Sequence, residues 1–161
     1  MNSWLNKFCP GLMICPRKPW PFGNQYHFIA DGDENGQHPI MWRVRLVEGK
    51  DRPKLPSGTW AFPTTWEKEG YSRTVELLID MTEPTHGTGK VVTGDSGFCM
   101  ATGVTALNAK GVYGQFLIKK RRYWPKYVPG DQIDKHMRAK GLGETATYVQ
   151  DVEGMRFLVH C

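Results

Sequence analysis

The chain lacks the features by which membrane, secreted and zinc-binding proteins are usually identified. It has no run of about 18 apolar residues and so no predicted membrane-spanning helix, and its first residues show no secretory signal. The four cysteines, at positions 9, 15, 99 and 161, lie far apart without a C-x-x-C pair. That spacing argues against a zinc knuckle and against a disulfide framework. We therefore expect an intracellular protein of a reducing compartment, with no membrane partner.

Length and charge are consistent with one domain that binds an anionic partner. The chain has 161 residues, with 21 Lys and Arg against 16 Asp and Glu, which gives a net charge of +5. No acidic residue occurs from Lys110 to Lys126. Within this stretch, four consecutive basic residues are followed by two aromatic ones, and the candidate nucleic-acid contacts are Lys119, Lys120, Arg121, Arg122, Tyr123, Trp124 and Lys126. A solvated strand end or a nuclear-import signal explains the same cluster about as well.

Hydrophobic periodicity predicts alternating strands and helices. Tyr26–Ala30 and Ile40–Val47 are predicted to form a hairpin, because apolar and polar residues alternate in the second of them. The other predicted elements are a strand at Leu12–Ile14, a helix capped by Ser72 and ended by Pro84, a strand at Val91–Thr93, a helix at Thr102–Ala109, a strand at Val112–Ile118, a short helix around Ile133 and a terminal hairpin of Thr145–Val149 and Met155–Val159. This order predicts an α/β fold with a mixed sheet and flanking helices.

Two of the predicted strands end at a carboxylate. The strand Tyr26–Ala30 leads into Asp31, and the strand Val91–Thr93 leads through Gly94 into Asp95. If the two strands lie side by side, their carboxylates converge. Mg²⁺ takes one or two protein carboxylates and fills its remaining positions with water and substrate phosphates, which suits phosphoryl transfer. We therefore expect Asp31 and Asp95 to hold Mg²⁺ or Mn²⁺.

Other interpretations of the same segments are open. The acidic residues of segment 31–36 have the spacing of half a calcium loop, but position twelve of such a loop would be Trp42, so a hairpin connection explains them better. Gly94–Gly97 is similar to the nucleophile segment of trypsin-like proteases, whose all-β fold the predicted elements do not match. A hydrolase that uses Ser96 or Cys99 as nucleophile is a further alternative.

An ordered series of segments resembles piggyBac-type transposases. The series comprises Pro16–Gly23, the strand into Asp31, Glu83–Gly87 and the strand into Asp95, and it spans nearly the whole chain. In that family a Lys-Pro-x-x-x-Gly segment precedes the strand that bears the first catalytic Asp. A Pro-x-His-Gly segment precedes the strand that bears the second.

The resemblance implies a ribonuclease H-like core with a D-D-D site for metal-dependent DNA cleavage and strand transfer. Asp31 and Asp95 would be the first two carboxylates, both catalytic and metal-binding, with Asp33 as a substitute for the first. The implied partners are DNA, as transposon ends and target, and a second copy of the chain as a homodimer. The implied location is the nucleus.

The sequence departs from the family pattern after the second Asp. Family members carry Asn and an aromatic pair there, whereas this chain has Ser96-Gly97-Phe98-Cys99. The third catalytic Asp and a cysteine-rich zinc domain are expected beyond residue 161, so we predict a partial domain that is inactive alone and binds the cation weakly or not at all. The alternative is a domesticated or decayed remnant that binds nucleic acid or protein without catalysis. The predicted organisation is an irregular Pro-rich segment at 1–24 and the partial domain at 25–161, with a loop insertion at 48–71.

Overall fold

The structure, a computed structural model, describes residues 2–3, 12–31, 40–47, 70–118, 128–152 and 154–161. The chain divides into two compact units, Met1–Pro84 and Thr85–Cys161. The first unit contains β1 (Asn2–Ser3), β2 (Met13–Ile14), β3 (Phe22–Asn24), β4 (Tyr26–Asp31), β5 (Ile40–Leu46) and α1 (Arg73–Thr82). The second contains β6 (Val91–Gly94), α2 (Ala101–Ala109), β7 (Tyr113–Phe116), α3 (Gly130–Arg138), β8 (Thr147–Val152) and β9 (Met155–His160).

The described residues of the N-terminal segment, 2–3 and 12–24, include three short strands. The predicted strand near Met13 is confirmed, and it belongs to a three-stranded antiparallel sheet in the order β1-β3-β2. Proline cannot donate to a sheet, so the strands are only two or three residues long and the prolines of this segment lie between them. The backbone N–H of Cys15 donates to the carbonyl of Pro21 over 2.7 Å and closes the turn between β2 and β3.

The predicted hairpin of β4 and β5 is confirmed as an antiparallel pair. Ile29 lies opposite Arg43 whereas Ala30 lies opposite Met41, so the register shifts and Trp42 is the extra residue of a β-bulge. Burial alternates along β4, with Asp31 on the half-buried side together with His27 and Ile29. The bulge therefore lies next to the end of β4, where the first predicted carboxylate is.

Helix α1 buries the apolar residues that its periodicity predicts. Val75, Leu78, Ile79 and Met81 are each at most 5% exposed. Ser72 occupies the N-cap position with extended backbone, but its side chain makes no capping hydrogen bond, which differs from the prediction. The α-helix ends at Thr82 and continues as one 3₁₀ turn, Glu83–Thr85, because Pro84 cannot extend an α-helical ladder.

A buried ion-pair cluster joins β5 to α1. Arg45 donates two hydrogen bonds of 2.8 Å, one to each carboxylate oxygen of Asp80. Arg43 donates to Oδ1 of Asp80 over 3.2 Å, to the backbone oxygen of Asp80 and to the carboxylate of Glu83. The Asp80 side chain is only 5% exposed, so the two arginines provide the charge and the hydrogen bonds that its burial requires.

The second unit begins with a parallel pair of strands. β6 and β7 pair in parallel, from Val91 opposite Tyr113 to Gly94 opposite Phe116, and α2 provides the crossover between them. Leu107 of α2 is fully buried. The backbone N–H of Gly89 donates to the carbonyl of Gly111 over 3.0 Å and holds the segments that lead into the two strands together. The predicted strand at Val91–Thr93, helix at Thr102–Ala109 and strand at Val112–Ile118 are therefore confirmed, although the last strand is shorter than predicted.

The C-terminal part of the second unit combines α3 with the predicted hairpin of β8 and β9. The hydroxyl of Tyr148 lies 2.7 Å from Nδ1 of His136, which links β8 to α3. Asp151 and Arg156 lie opposite each other at the end of the hairpin. The hydrogen bond from Arg156 lowers the pKa of the Asp151 carboxyl. β8 extends to Val152, beyond the predicted strand end at Val149.

Within the described residues the fold is mixed α/β, with four small sheets and three helices. A single mixed sheet that joins these strands stays a prediction. No helix in the part of the chain that the structure describes is long and apolar enough to cross a membrane.

Candidate functional site

Asp95 is presented at the end of β6 by a short turn. Oδ1 of Asp95 accepts a hydrogen bond of 2.8 Å from the backbone N–H of Gly97, and the N–H of Phe98 donates to the Asp95 carbonyl over 3.2 Å. The side chain is exposed. Its second oxygen, Oδ2, makes no hydrogen bond within the described ranges. One oxygen is thus fixed by the backbone and the other can accept a ligand.

A phenylalanine ring and two glycines fix the strand that ends at Asp95. The ring of Phe116 lies against Gly94 on one side and Gly114 on the other. A Cβ at Gly94 would lie 2.6 Å from Cε1 of Phe116, and a Cβ at Gly114 would lie 2.6 Å from Cε2 of the same ring. Both distances are shorter than any stable contact, so a side chain at either position would force the half-buried ring or the strand to shift.

Asp31 is the last residue of β4 and is half-buried. It lies opposite Ile40 of β5, beyond the bulge at Trp42. Asp31 belongs to the first unit and Asp95 to the second, so each carboxylate is described within its own unit. Their shared site stays a prediction.

Other predicted site residues fall outside the described residues. These are the substitute carboxylate Asp33 and the predicted nucleic-acid contacts Lys119, Lys120, Arg121, Arg122, Tyr123, Trp124 and Lys126. The predicted insertion at 48–71 is outside them too, apart from its last two residues.

The donor chemistry of the two strand ends fits a hard cation. Each offers a carboxylate, the ligand type that Mg²⁺ and Mn²⁺ prefer, and Asp95 has an exposed oxygen that no described residue engages. Among the described residues, no three His, Cys, Asp or Glu side chains form a group that could hold a metal. The predicted site consists of two carboxylates, which is fewer than the three side chains of such a group.

The alternative of a cysteine nucleophile finds little support in the surroundings of Cys99. Cys99 is 5% exposed, and burial raises the pKa of its thiol. A catalytic thiol needs a lowered pKa and access to substrate, because the thiolate is the nucleophile. Cys99 has neither property.

Thiol alkylation tests this assignment. With iodoacetamide at pH 8, we expect Cys99 to react at least about tenfold more slowly than the exposed Cys161, because burial limits access and keeps the thiol protonated. Peptide mass spectrometry gives the two rates in one sample. In urea the two rates should become similar. Rapid selective modification of Cys99 in the folded protein would contradict the assignment.

The structure also shows an exposed basic and aromatic turn that sequence reasoning did not select as a site. Arg17, Lys18 and Trp20 lie in the turn between β2 and β3, and all three are exposed. The signal was present in the sequence as an Arg-Lys pair and a Trp between three prolines. In the sequence these residues belong to Pro16–Gly23, the segment that resembles the family motif.

Comparison with known protein families gives the chain its classification. No curated protein and no solved structure matched the chain. A family model described as Transposase IS4 matches residues 4–157, and both strand-end carboxylates fall inside that range. The predicted relation to transposases is thereby confirmed, and the chain belongs to the Transposase IS4 family, a family of DDE transposases.

Proposed function

We propose that this chain is a piggyBac-type transposase domain that binds DNA in the nucleus and holds one divalent cation with Asp31 and Asp95. The observation that carries the proposal is the family match over residues 4–157, which includes both carboxylates. The order of elements supports the finer assignment. A hairpin strand ends at Asp31, a helix follows, and a parallel strand, β6, then leads into Asp95.

We further propose that β4 and β6 belong to one ribonuclease H-like sheet. Ligands of open α/β sheets bind beyond the carboxyl ends of the strands, and Asp31 and Asp95 both occupy such an end. The half-buried position of Asp31 favours a role inside the fold rather than on a solvated surface.

The chemistry of the parent family that we propose for the intact site is phosphoryl transfer on DNA. When bound, Mg²⁺ supplies Lewis-acid activation of a water or 3′-hydroxyl and neutralises charge on the scissile phosphate. The role of Asp95 is to present Oδ2, because Gly97 fixes the orientation of the carboxylate through Oδ1. The role of Asp31 is to add the second negative charge. Two carboxylates match the charge of one dication, so we propose cation and DNA binding without turnover by the 161-residue chain.

Binding of Mn²⁺, followed by electron paramagnetic resonance, tests the metal site. We expect Asp95→Asn and Asp31→Asn each to raise the Kd for Mn²⁺ about tenfold, since each removes one of two charged oxygen ligands. Asp151→Asn is the matched control. It also removes an exposed carboxylate at a strand end, but one already paired with Arg156 at 2.8 Å, and it should leave the Kd unchanged.

Three outcomes separate the possibilities. An equal effect of all three variants would contradict a specific site. DNA binding without Mn²⁺ binding dependent on Asp31 and Asp95 would favour the non-catalytic remnant. DNA strand transfer by the 161-residue chain, lost in Asp95→Asn, would contradict the proposed lack of turnover and confirm the role of the carboxylate.

A further inference from the structure

The turn between β2 and β3 is held in a fixed conformation. The N–H of Lys18 donates to the carbonyl of Cys15 over 3.0 Å, and the N–H of Cys15 donates to the carbonyl of Pro21 over 2.7 Å. Pro16, Pro19 and Pro21 restrict the backbone within and beside the turn. The side chains between them are therefore presented with little backbone entropy left to lose on binding.

Trp20 is unusually exposed for a tryptophan. Its exposed fraction is 74%, whereas tryptophan side chains in folded proteins are highly buried on average. It forms no ring contact or hydrogen bond with the part of the chain that the structure describes. A rigid, exposed indole offers a planar surface on which another ring can stack.

Two cations accompany the indole. Arg17 and Lys18 lie two and three residues before Trp20, and both side chains are exposed. Neither forms an ion pair within the described ranges. Their charges are therefore available to an anionic ligand, with no carboxylate to displace first.

We propose that Arg17, Lys18 and Trp20 form a binding site for unpaired DNA, with one base stacked on Trp20 and neighbouring phosphates held by Arg17 and Lys18. Every base has an aromatic face, and stacking on an exposed side chain requires an unstacked base, which duplex DNA does not provide. This inference rests on the proposed function, because that function makes DNA the partner. Beyond that function, it specifies that the bound form of the DNA is an unpaired strand, and it names the three residues that bind this strand.

Fluorescence anisotropy of the full 161-residue chain with a labelled 12-nucleotide single strand tests the proposal in buffer containing EDTA. We expect Trp20→Ala to raise the Kd about tenfold without changing its salt dependence, because stacking releases no counterions. Trp20→Phe should recover most of the affinity. Arg17→Ala and Lys18→Ala should each lower the slope of log K against log salt by about 0.7, as expected for one phosphate contact on a single strand.

Two matched controls come from the same unit. Phe28→Ala removes an aromatic ring that is 65% exposed and has no Lys or Arg near it in the sequence, and it should leave the Kd unchanged. Arg73→Ala removes an exposed positive charge at the start of α1, and it should leave the salt slope unchanged. Circular dichroism of each variant verifies that the fold is retained.

An equal loss of affinity in Trp20→Ala and Phe28→Ala would overturn the proposal. So would tighter binding to a duplex than to the single strand, if Trp20→Ala, Arg17→Ala and Lys18→Ala weaken that duplex binding. Because EDTA removes divalent cations, the outcome does not depend on the metal site. Failure of Mn²⁺ binding would contradict the proposed function while leaving the DNA measurement interpretable, and failure of the DNA measurement would leave the metal result unaffected.

Discussion

Asp80→Ala is expected to lower the free energy of unfolding of the first unit by about 3 kcal/mol, or about 150-fold in the folding equilibrium. The side chain of Asp80 is 5% exposed and accepts hydrogen bonds from both Arg43 and Arg45. Removing one partner of a buried ion pair costs about 3 to 5 kcal/mol, because the other charge stays without compensation. The two arginines are 27% and 28% exposed, so water compensates them in part and the lower end of that range applies.

Urea denaturation followed by tryptophan fluorescence measures this change in the appropriate unit. Of the six tryptophans, only Trp124 lies outside residues 1–84. Glu83→Ala is the matched control, since Glu83 also binds Arg43 but is 48% exposed. It should cost less than about 1 kcal/mol, as partly exposed pairs do. A similar decrease in the free energy of unfolding in both variants would mean that the burial of Asp80 does not determine how much the cluster stabilises the unit.

Local pattern was enough to predict most individual elements. The alternation in β5 and the 3.6-residue spacing of Val75, Leu78 and Ile79 are one-dimensional signals, and the structure confirms both elements. In β5, however, Trp42 and Val44 are exposed, and the arginines lie on the more buried side. Gly111 and Pro84 marked helix ends because their backbone preferences act locally. Asp95 was found in the same way, as the residue released by a turn at the end of a β-branched strand.

Tertiary partners were not predictable from the sequence. Nothing local shows that Arg43 and Arg45 bind a carboxylate 35 or more residues away. The bulge at Trp42 depends on the pairing of two strands. The three-stranded N-terminal sheet was missed because prolines shorten its strands below the length at which alternation can be detected. Convergence of Asp31 and Asp95 also depends on strand pairing, and it stays a prediction.

The glycines around Phe116 connect packing to the candidate site. Gly94 immediately precedes Asp95, and Phe116 lies opposite Gly94 in the parallel pair. The ring lies close to both Gly94 and Gly114, so a shift in its plane away from one glycine brings it closer to the other. The position of the strand end that carries Asp95 therefore depends on the close packing that glycine allows at these two positions.

Gly94→Ala is expected to destabilise the β6-β7 pair by about 2 kcal/mol. The new methyl group would lie 2.6 Å from Cε1 of Phe116, and overpacking of this kind costs about 1 to 3 kcal/mol. Native-state hydrogen exchange of peptides from residues 91–116 measures the effect. An increase of about 30-fold in the exchange rate of the strand amides corresponds to 2 kcal/mol. Gly114→Ala should have a similar effect, since its Cβ would meet the opposite edge of the ring at the same distance.

A double-mutant cycle with Phe116→Ala separates the contact from a general cost of changing glycine. Without the ring the clash is absent, and alanine is favoured over glycine within a strand by about 0.5 kcal/mol. Gly94→Ala should therefore be neutral or slightly stabilising in the Phe116→Ala background, which gives a coupling energy of about 2 kcal/mol, in the range found for residues in contact. Equal destabilisation by Gly94→Ala in both backgrounds would show that the ring does not determine the choice of glycine before Asp95.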